Sequence, residues 1–305
     1  MMTPTNRREF LAQLSSFGVL LSRPFPMRAQ DAIPLRVIPA TGESIPVIGF
    51  GSTKAVVQIP EAGTDPLRSV MRMLVEYGGR VVDTGPRSEE IDSQFGRLLN
   101  EPELRDKLFL ATKINTRGRE AGIQQMRQAQ LTFGRRTMDL IQIQSLTDLE
   151  VHWPNLREWK DTGEARYIGV TVSSYNDYER LEAFMRSEPL DFVHLNYSVV
   201  ETRAEERLLS LAQDRGMAVL INRPFMNGSY FRRVNGRELP EWASEFDCTT
   251  WAQFSLKYIL AHTTVTCVLT ETSNSRHMEE NMQAAFGRLP DEATKRRMRE
   301  VVQGF

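Results

Sequence analysis

Residues 69–83 read SVMRMLVEYGGRVVD, from Ser69 to Asp83. Val70, Met71, Leu74 and Val75 share one face at helical spacing. Gly78-Gly79 then interrupts the pattern as a left-handed cap does, and Arg80-Val81-Val82-Asp83 resumes it as a short β-branched run. A helix handing over to a strand through glycine is half of a β/α unit, and the reading repeats in both directions. Strands are expected at Val47–Gly51, Arg80–Asp83, Leu108–Lys113, Leu140–Ser145, Tyr167–Val172, Phe192–Asn196, Ala218–Asn222 and Val265–Leu269. Between them lie amphipathic stretches such as Thr202–Arg215, where Ala204, Leu208, Leu211 and Ala212 align before Gly216. A hairpin comes first: Leu35–Ile38, a turn at Ala40-Thr41-Gly42, then Ile45–Ile48. Alternating β and α units imply a parallel sheet with right-handed crossovers, and eight of them close most simply into a (β/α)8 barrel. The alternative is an open doubly wound sheet, but no Gly-x-Gly-x-x-Gly follows the first strand.

Composition narrows the function. The chain has 305 residues, 41% hydrophobic and 25% charged, which suits one large domain. Lys and Arg number 38 against 39 Asp and Glu, a net charge of −1, so no basic excess matches a nucleic acid or an anionic membrane. Two cysteines, Cys248 and Cys267, exclude a disulfide scaffold and a four-thiolate zinc site, and no His/Cys/Asp cluster has metal-ligand spacing. An exported location would permit a disulfide, although the sequence does not bring the two sulfurs together.

Residues 1–32 read as an address. Arg7-Arg8 precedes Glu9-Phe10-Leu11 and an apolar run from Leu11 to Leu21, ended by Pro24 and Pro26. That run is well short of the roughly 20 residues needed to span a bilayer. A basic start, a short apolar stretch and a small residue at Ala29 or Ala32 describe a signal peptide, and the paired arginines resemble the twin-arginine type. The expectation is a signal over 1–32 and a barrel over 33–305. It implies export to the periplasm by the twin-arginine machinery, without stable membrane insertion. The plain alternative is an amphipathic helix with a basic N-terminus.

In such a barrel, chemistry gathers where strands end: Asp83-Thr84, Lys113, Gln144, Thr171, Asn196 and Asn222-Arg223. Asp83 and Lys113 end neighbouring strands and are placed to pair, as an ion pair closing the rim would also be.

These residues resemble the aldo-keto reductases, which share the TIM-barrel fold. The resemblance rests on Ile48-Gly49-Phe50-Gly51, Val82-Asp83-Thr84, Ala111-Thr112-Lys113-Ile114, Tyr167-Ile168-Gly169-Val170, Asn196-Tyr197-Ser198 and Thr272-Ser273-Asn274 followed by Glu280-Asn281. The chain is most similar to a bacterial subgroup carrying secretion signals and an Asn-Arg-Pro-Phe segment, here Asn222-Arg223-Pro224-Phe225. The resemblance implies hydride transfer from NADPH to a small carbonyl compound. In the family a Tyr donates the proton, a Lys tunes that Tyr, an Asp holds the Lys, and a His polarises the carbonyl. Asp83 and Lys113 match the Asp and Lys.

The other two positions depart from the pattern. Relatives read Asp-x-x-Pro-x-Tyr-Gly, where this chain has Asp83-Thr84-Gly85-Pro86-Arg87-Ser88-Glu89, so Ser88 stands in the Tyr position. The strand that ends in His there reads Ile143-Gln144-Ser145-Leu146 here, so Gln144 stands in the His position. His152, in Val151-His152-Trp153-Pro154, looks like a second His motif but lies beyond the strand, and it is read as a packing residue. Arg87 and Glu89 flank Ser88 on a rim loop, where solvated side chains are expected.

The resemblance further implies NADP(H) contacts from Ser273, Asn274, Arg276, Glu280 and Asn281 at the adenosine end, with Arg276 reading a 2′-phosphate. The plain alternative there is a capped helix N-terminus. At the nicotinamide end Thr171, His194, Asn196, Asn222 and Arg223 are expected, although Val172 replaces a hydrogen-bonding partner, so that end is weakened. Three readings stay open: a reductase with weak or altered chemistry, a homologue that binds nucleotide or ligand without turnover, and a structural partner of another exported protein.

Overall fold

The computed structural model describes residues 32–305. The expected signal, except for Ala32, lies outside the described residues. Ten strands are formed: β1 (Leu35–Val37), β2 (Ser44–Pro46), β3 (Ile48–Gly51), β4 (Val81–Asp83), β5 (Phe109–Ile114), β6 (Met138–Gln144), β7 (Ala165–Thr171), β8 (Phe192–Asn196), β9 (Ala218–Asn222) and β10 (Val265–Thr270). β1 and β2 form an antiparallel hairpin. The other eight are parallel and close on themselves, with β10 pairing both β9 and β3. Helices such as Asp65–Glu76, Arg119–Thr132 and Leu149–Asp161 cross between successive strands. This is the (β/α)8 barrel with an N-terminal hairpin.

Successive residues of a strand point to opposite faces, so one parity of each strand looks into the barrel. At the strands' N-terminal end that parity is apolar: Val81, Phe109, Leu140, Tyr167 and Phe192 pack together with Ile38 and Ile45 of the hairpin region. Phe109, Tyr167 and Phe192 sit with ring centroids 5.4–6.1 Å apart. The hairpin therefore seals the base. Glu43 accepts hydrogen bonds from Arg80 at 3.1 Å and the Tyr167 hydroxyl at 2.8 Å, and it pairs with Arg166. Arg36 donates to the His262 carbonyl at 2.9 Å. Toward the C-terminal end the same parity turns polar, at Asp83, Lys113, Gln144, Thr171, His194 and Asn222, and there the wall opens into a cavity.

The C-terminal helix Glu292–Gln303 is tied to the barrel wall through Glu205. That carboxylate takes hydrogen bonds from Arg299 at 3.1 Å and the Tyr258 hydroxyl at 2.9 Å, and it pairs with Lys295 at 3.3 Å. Among the described residues no helix is long and apolar enough to cross a membrane. The two cysteines are buried and free.

Gly169 in β7 marks the closest approach in the wall. A Cβ there would lie 2.3 Å from the Phe192 carbonyl oxygen, and backbone of a paired strand has no room to retreat. Gly169→Ala is expected to lose about 2–3 kcal/mol, read as a lower urea midpoint with unchanged slope.

Candidate active site

Register fixes the centre of the site. Asp83 is the last residue of β4, and β5 places Lys113 two positions beyond Ala111, its direct partner. Lys113 donates to Asp83 Oδ2 at 2.5 Å and to the Thr84 carbonyl at 2.6 Å. Burial pushes the Lys113 ammonium below its ordinary pKa, while the Asp83 carboxylate opposes the shift. The other Asp83 oxygen accepts from Gln142 Nε2 at 3.0 Å. A carboxylate requires a donor, so the Gln142 amide is oriented by it, and its Oε1 faces His194 Nδ1 at 3.1 Å. That oxygen can only accept, so the proton of His194 sits on Nδ1 and Nε2 carries a lone pair. Burial lowers the His194 pKa from 6.5 to about 4, and the ring is neutral at neutral pH.

These groups open into a cavity of about 780 Å³ at the C-terminal ends of the strands. Gln144, Thr171, Val172, Asn222 and Arg223 line it, and Ser273 lines it from the loop after β10. Asn222 donates to the Val172 carbonyl at 2.9 Å, and Arg223 donates to the Ser173 carbonyl at 2.6 Å and to Glu201 at 3.3 Å. Among the described residues, three buried polar atoms of residues on these walls have no hydrogen-bond partner: His194 Nε2, Asn222 Oδ1 and Arg223 Nε. Buried polar atoms are rarely left unpaired, so the packing around this site leaves polar capacity unused. Arg223, Met226 and Asn227 all adopt positive φ, so the loop after β9 holds its shape against local strain.

The sequence pattern of the Aldo/keto reductase family matches residues 48–300. The chain belongs to the aldo/keto reductase family. Among curated proteins none matches it. Solved structures similar to it include an aldo-keto reductase from Bacillus halodurans in its holo form, at 20% identity and TM-score 0.68, covering 88% of this chain and 96% of that one. One from Bombyx mori in complex with NADP has 18% identity and TM-score 0.69, covering 89% and 93%. One from Klebsiella pneumoniae in complex with NADPH has 16% identity and TM-score 0.68, covering 86% and 92%. At such identities the likeness concerns the fold.

Within this family member the expected site residues divide. Asp83, Lys113, Gln144, Thr171, His194, Asn222, Arg223 and Ser273 meet at the cavity. Ser88 does not line it: Ser88 is exposed and caps the helix Glu89–Leu99, its Oγ 3.5 Å from Ile91 N. Asn196 is buried but satisfied by protein, through the Tyr178 hydroxyl at 3.2 Å and Glu201 at 3.3 Å. Asn274 caps the helix Ser275–Gln283, accepting from Arg276 N at 2.9 Å. The Arg276 side chain is 84% exposed, 3.8 Å from Glu280 on the same helix, and Asn281 is buried on that helix. None of these five, Asn196, Asn274, Arg276, Glu280 and Asn281, lines the cavity. His152 packs as expected, buried, with Nε2 2.7 Å from the Thr116 carbonyl.

Arg87 corrects the expectation of a solvated rim. Ser88 starts the next helix and Asp92 accepts the Arg87 amide at 2.8 Å, and this turn aims the Arg87 side chain inward. Its Nη1 reaches Thr84 Oγ1 at 2.9 Å and the Gly85 carbonyl at 2.8 Å, and its Nη2 reaches the Ser52 carbonyl and hydroxyl at 2.8 and 3.0 Å. Glu89 stays exposed. Sequence reasoning also missed Gln142 and Glu271. Gln142 carried a signal, because it shares the inward parity of Leu140 and Gln144. Glu271 accepts from the Ala55 amide at 2.9 Å and joins the loops after β3 and β10.

No tyrosine is among the described residues lining the cavity, and no group of three or more His, Cys, Asp or Glu among the described residues could hold a metal ion.

The depressed His194 pKa makes stability pH-dependent. Unfolded imidazole takes up a proton near 6.5 and the folded one only near 4, so the unfolded state binds more protons between those values. The contribution is complete above pH 6.5 and is lost as pH falls toward 4, on the order of 3 kcal/mol. His194→Gln should flatten that part of the stability profile. Urea unfolding of both proteins at neutral pH and near pH 4 measures it, and parallel losses would refute the assignment.

Proposed function

We propose that this aldo/keto reductase family member is an oxidoreductase that binds NADP(H) in the strand-end cavity and acts, weakly or with altered chemistry, on a small carbonyl compound. The observation that carries the reading is the Asp83–Lys113 pair in a cavity whose walls include His194, Asn222 and Arg223. The relatives from Klebsiella pneumoniae and Bombyx mori, in complex with NADPH and NADP, support the cofactor.

The residues present fit a nucleotide. Thr171, His194 and Asn222 offer a hydroxyl, an acceptor nitrogen and an amide oxygen for its nicotinamide end. Arg223 and Ser273 offer donors further along the wall. When bound, the cofactor supplies a hydride. The protein's own part is electrostatic. Lys113 uses two of its three N–H groups on Asp83 and Thr84, and the third is left to stabilise negative charge on a carbonyl oxygen. Gln144 adds an amide donor. No tyrosine is among the described lining residues to act as general acid, and loss of such a group costs about 10²–10⁴ in rate. That deficit favours the second reading, a homologue that keeps its ligand and has lost turnover.

Export is part of the same proposal, carried by Arg7-Arg8 and the apolar run that follows. A fusion of residues 1–32 to a reporter that is active only after folded export tests it.

NADPH titration followed by nicotinamide fluorescence should show saturable binding, and a carbonyl panel should show slow oxidation of NADPH. Ser88→Tyr with Gln144→His should raise turnover by about 10² or more, despite the lost helix cap. Saturable NADPH binding with no turnover in either protein would establish the second reading, and absence of NADPH binding would overturn the first and restrict the second to a ligand other than nucleotide.

A further inference from the structure

We infer that the deep end of the cavity recognises a small carboxylate, its two oxygens held between Arg87 and Lys113. The inference deepens the reading of this cavity as a ligand site, and it requires neither nucleotide nor hydride transfer.

Arg87 is half-buried, and all four of its hydrogen-bond acceptors are neutral oxygens, of Ser52, Thr84 and Gly85. Among the described residues no carboxylate stands at ion-pair distance from it. Asp92, Asp83 and Glu271 act on it only from beyond ion-pair distance, so a counter-charge in direct contact is left to a ligand. Lys113 lies beside it on the same short segment: Thr84 accepts from Lys113 through its carbonyl and from Arg87 through its hydroxyl. The Lys113 ammonium is lowered mainly by burial and in lesser part by Arg87.

The donors left over define the ligand. Arg87 retains Nε–H, which no protein atom accepts, and Lys113 retains one of its three N–H groups. Two unspent donors on adjacent cations match a two-oxygen anion. The nearby carboxylates are committed elsewhere. Glu201 pairs with Arg223 at 3.3 Å, and Asp92 accepts the Arg87 backbone amide. Asp83 is spent on Lys113 and Gln142, and Glu271 on the amides of the loop after β3.

Isothermal titration of the full chain, without nucleotide, compares pyruvate with pyruvamide and benzoate with benzamide. The acids are expected to bind at least tenfold more tightly than their amides, with the preference shrinking as salt is added. In Arg87→Met the acid-over-amide preference should collapse, and in Arg87→Lys it should be intermediate. Equal affinity for acid and amide, or an unchanged preference in Arg87→Met, overturns the inference. So does tight binding of inorganic pyrophosphate with none of either acid, which would assign the charge to a nucleotide phosphate. If Arg87→Met does not fold by circular dichroism, the wild-type acid-to-amide ratio decides alone. Carboxylate binding without NADPH binding removes the nucleotide reading and leaves this one standing.

Discussion

The structure turns on an ammonium held between a carboxylate and a carbonyl at the mouth of a closed barrel. Lys113 is clamped by Asp83 and Thr84, and Asp83 is in turn braced by Gln142, which orients His194. A buried ion pair is poor evidence of stability, since desolvation of two charges absorbs most of what their attraction returns. Its effect here is positional. The carboxylate sets the direction of the amide, the amide sets the tautomer of the imidazole, and the imidazole presents a lone pair to the cavity. Four side chains on four strands are thereby locked in one arrangement, at the level where the barrel interior changes from apolar to polar.

The fold was legible because its signals are local and repetitive. The eight β-runs read from residues 47–269 coincide closely with β3–β10, and the glycines at 78–79 and 216 fall where helices stop. The hairpin strands came out shorter than expected because Pro46, which cannot donate to a ladder, ends β2. The site was legible only where a side chain's direction follows from strand parity. Asp83, Lys113, Gln144, Thr171, His194 and Asn222 all obey it. Arg87 does not lie on a strand, and its inward turn depends on a helix cap and on Asp92, which single-residue reading does not weigh. Arg276 lies on a helix whose orientation toward the cavity no sequence period reveals.

On the proposed reading the family's fold is kept while the chemistry of its rim differs. A phenol beside a lysine makes an acid; with an exposed serine and an inward arginine in its place, the rim would hold fewer transferable protons. Such a site would hold an anion more readily than it protonates one. That combination would fit slow reduction or simple retention of a ligand, and it separates what the fold can hold from what it can convert.

The sealed hairpin base has a kinetic meaning. With Ile38 and Ile45 plugging the floor, the barrel is a blind well with one doorway. A ligand held against Asp83 and Lys113 therefore enters and leaves on the side of the loops that follow β9 and β10.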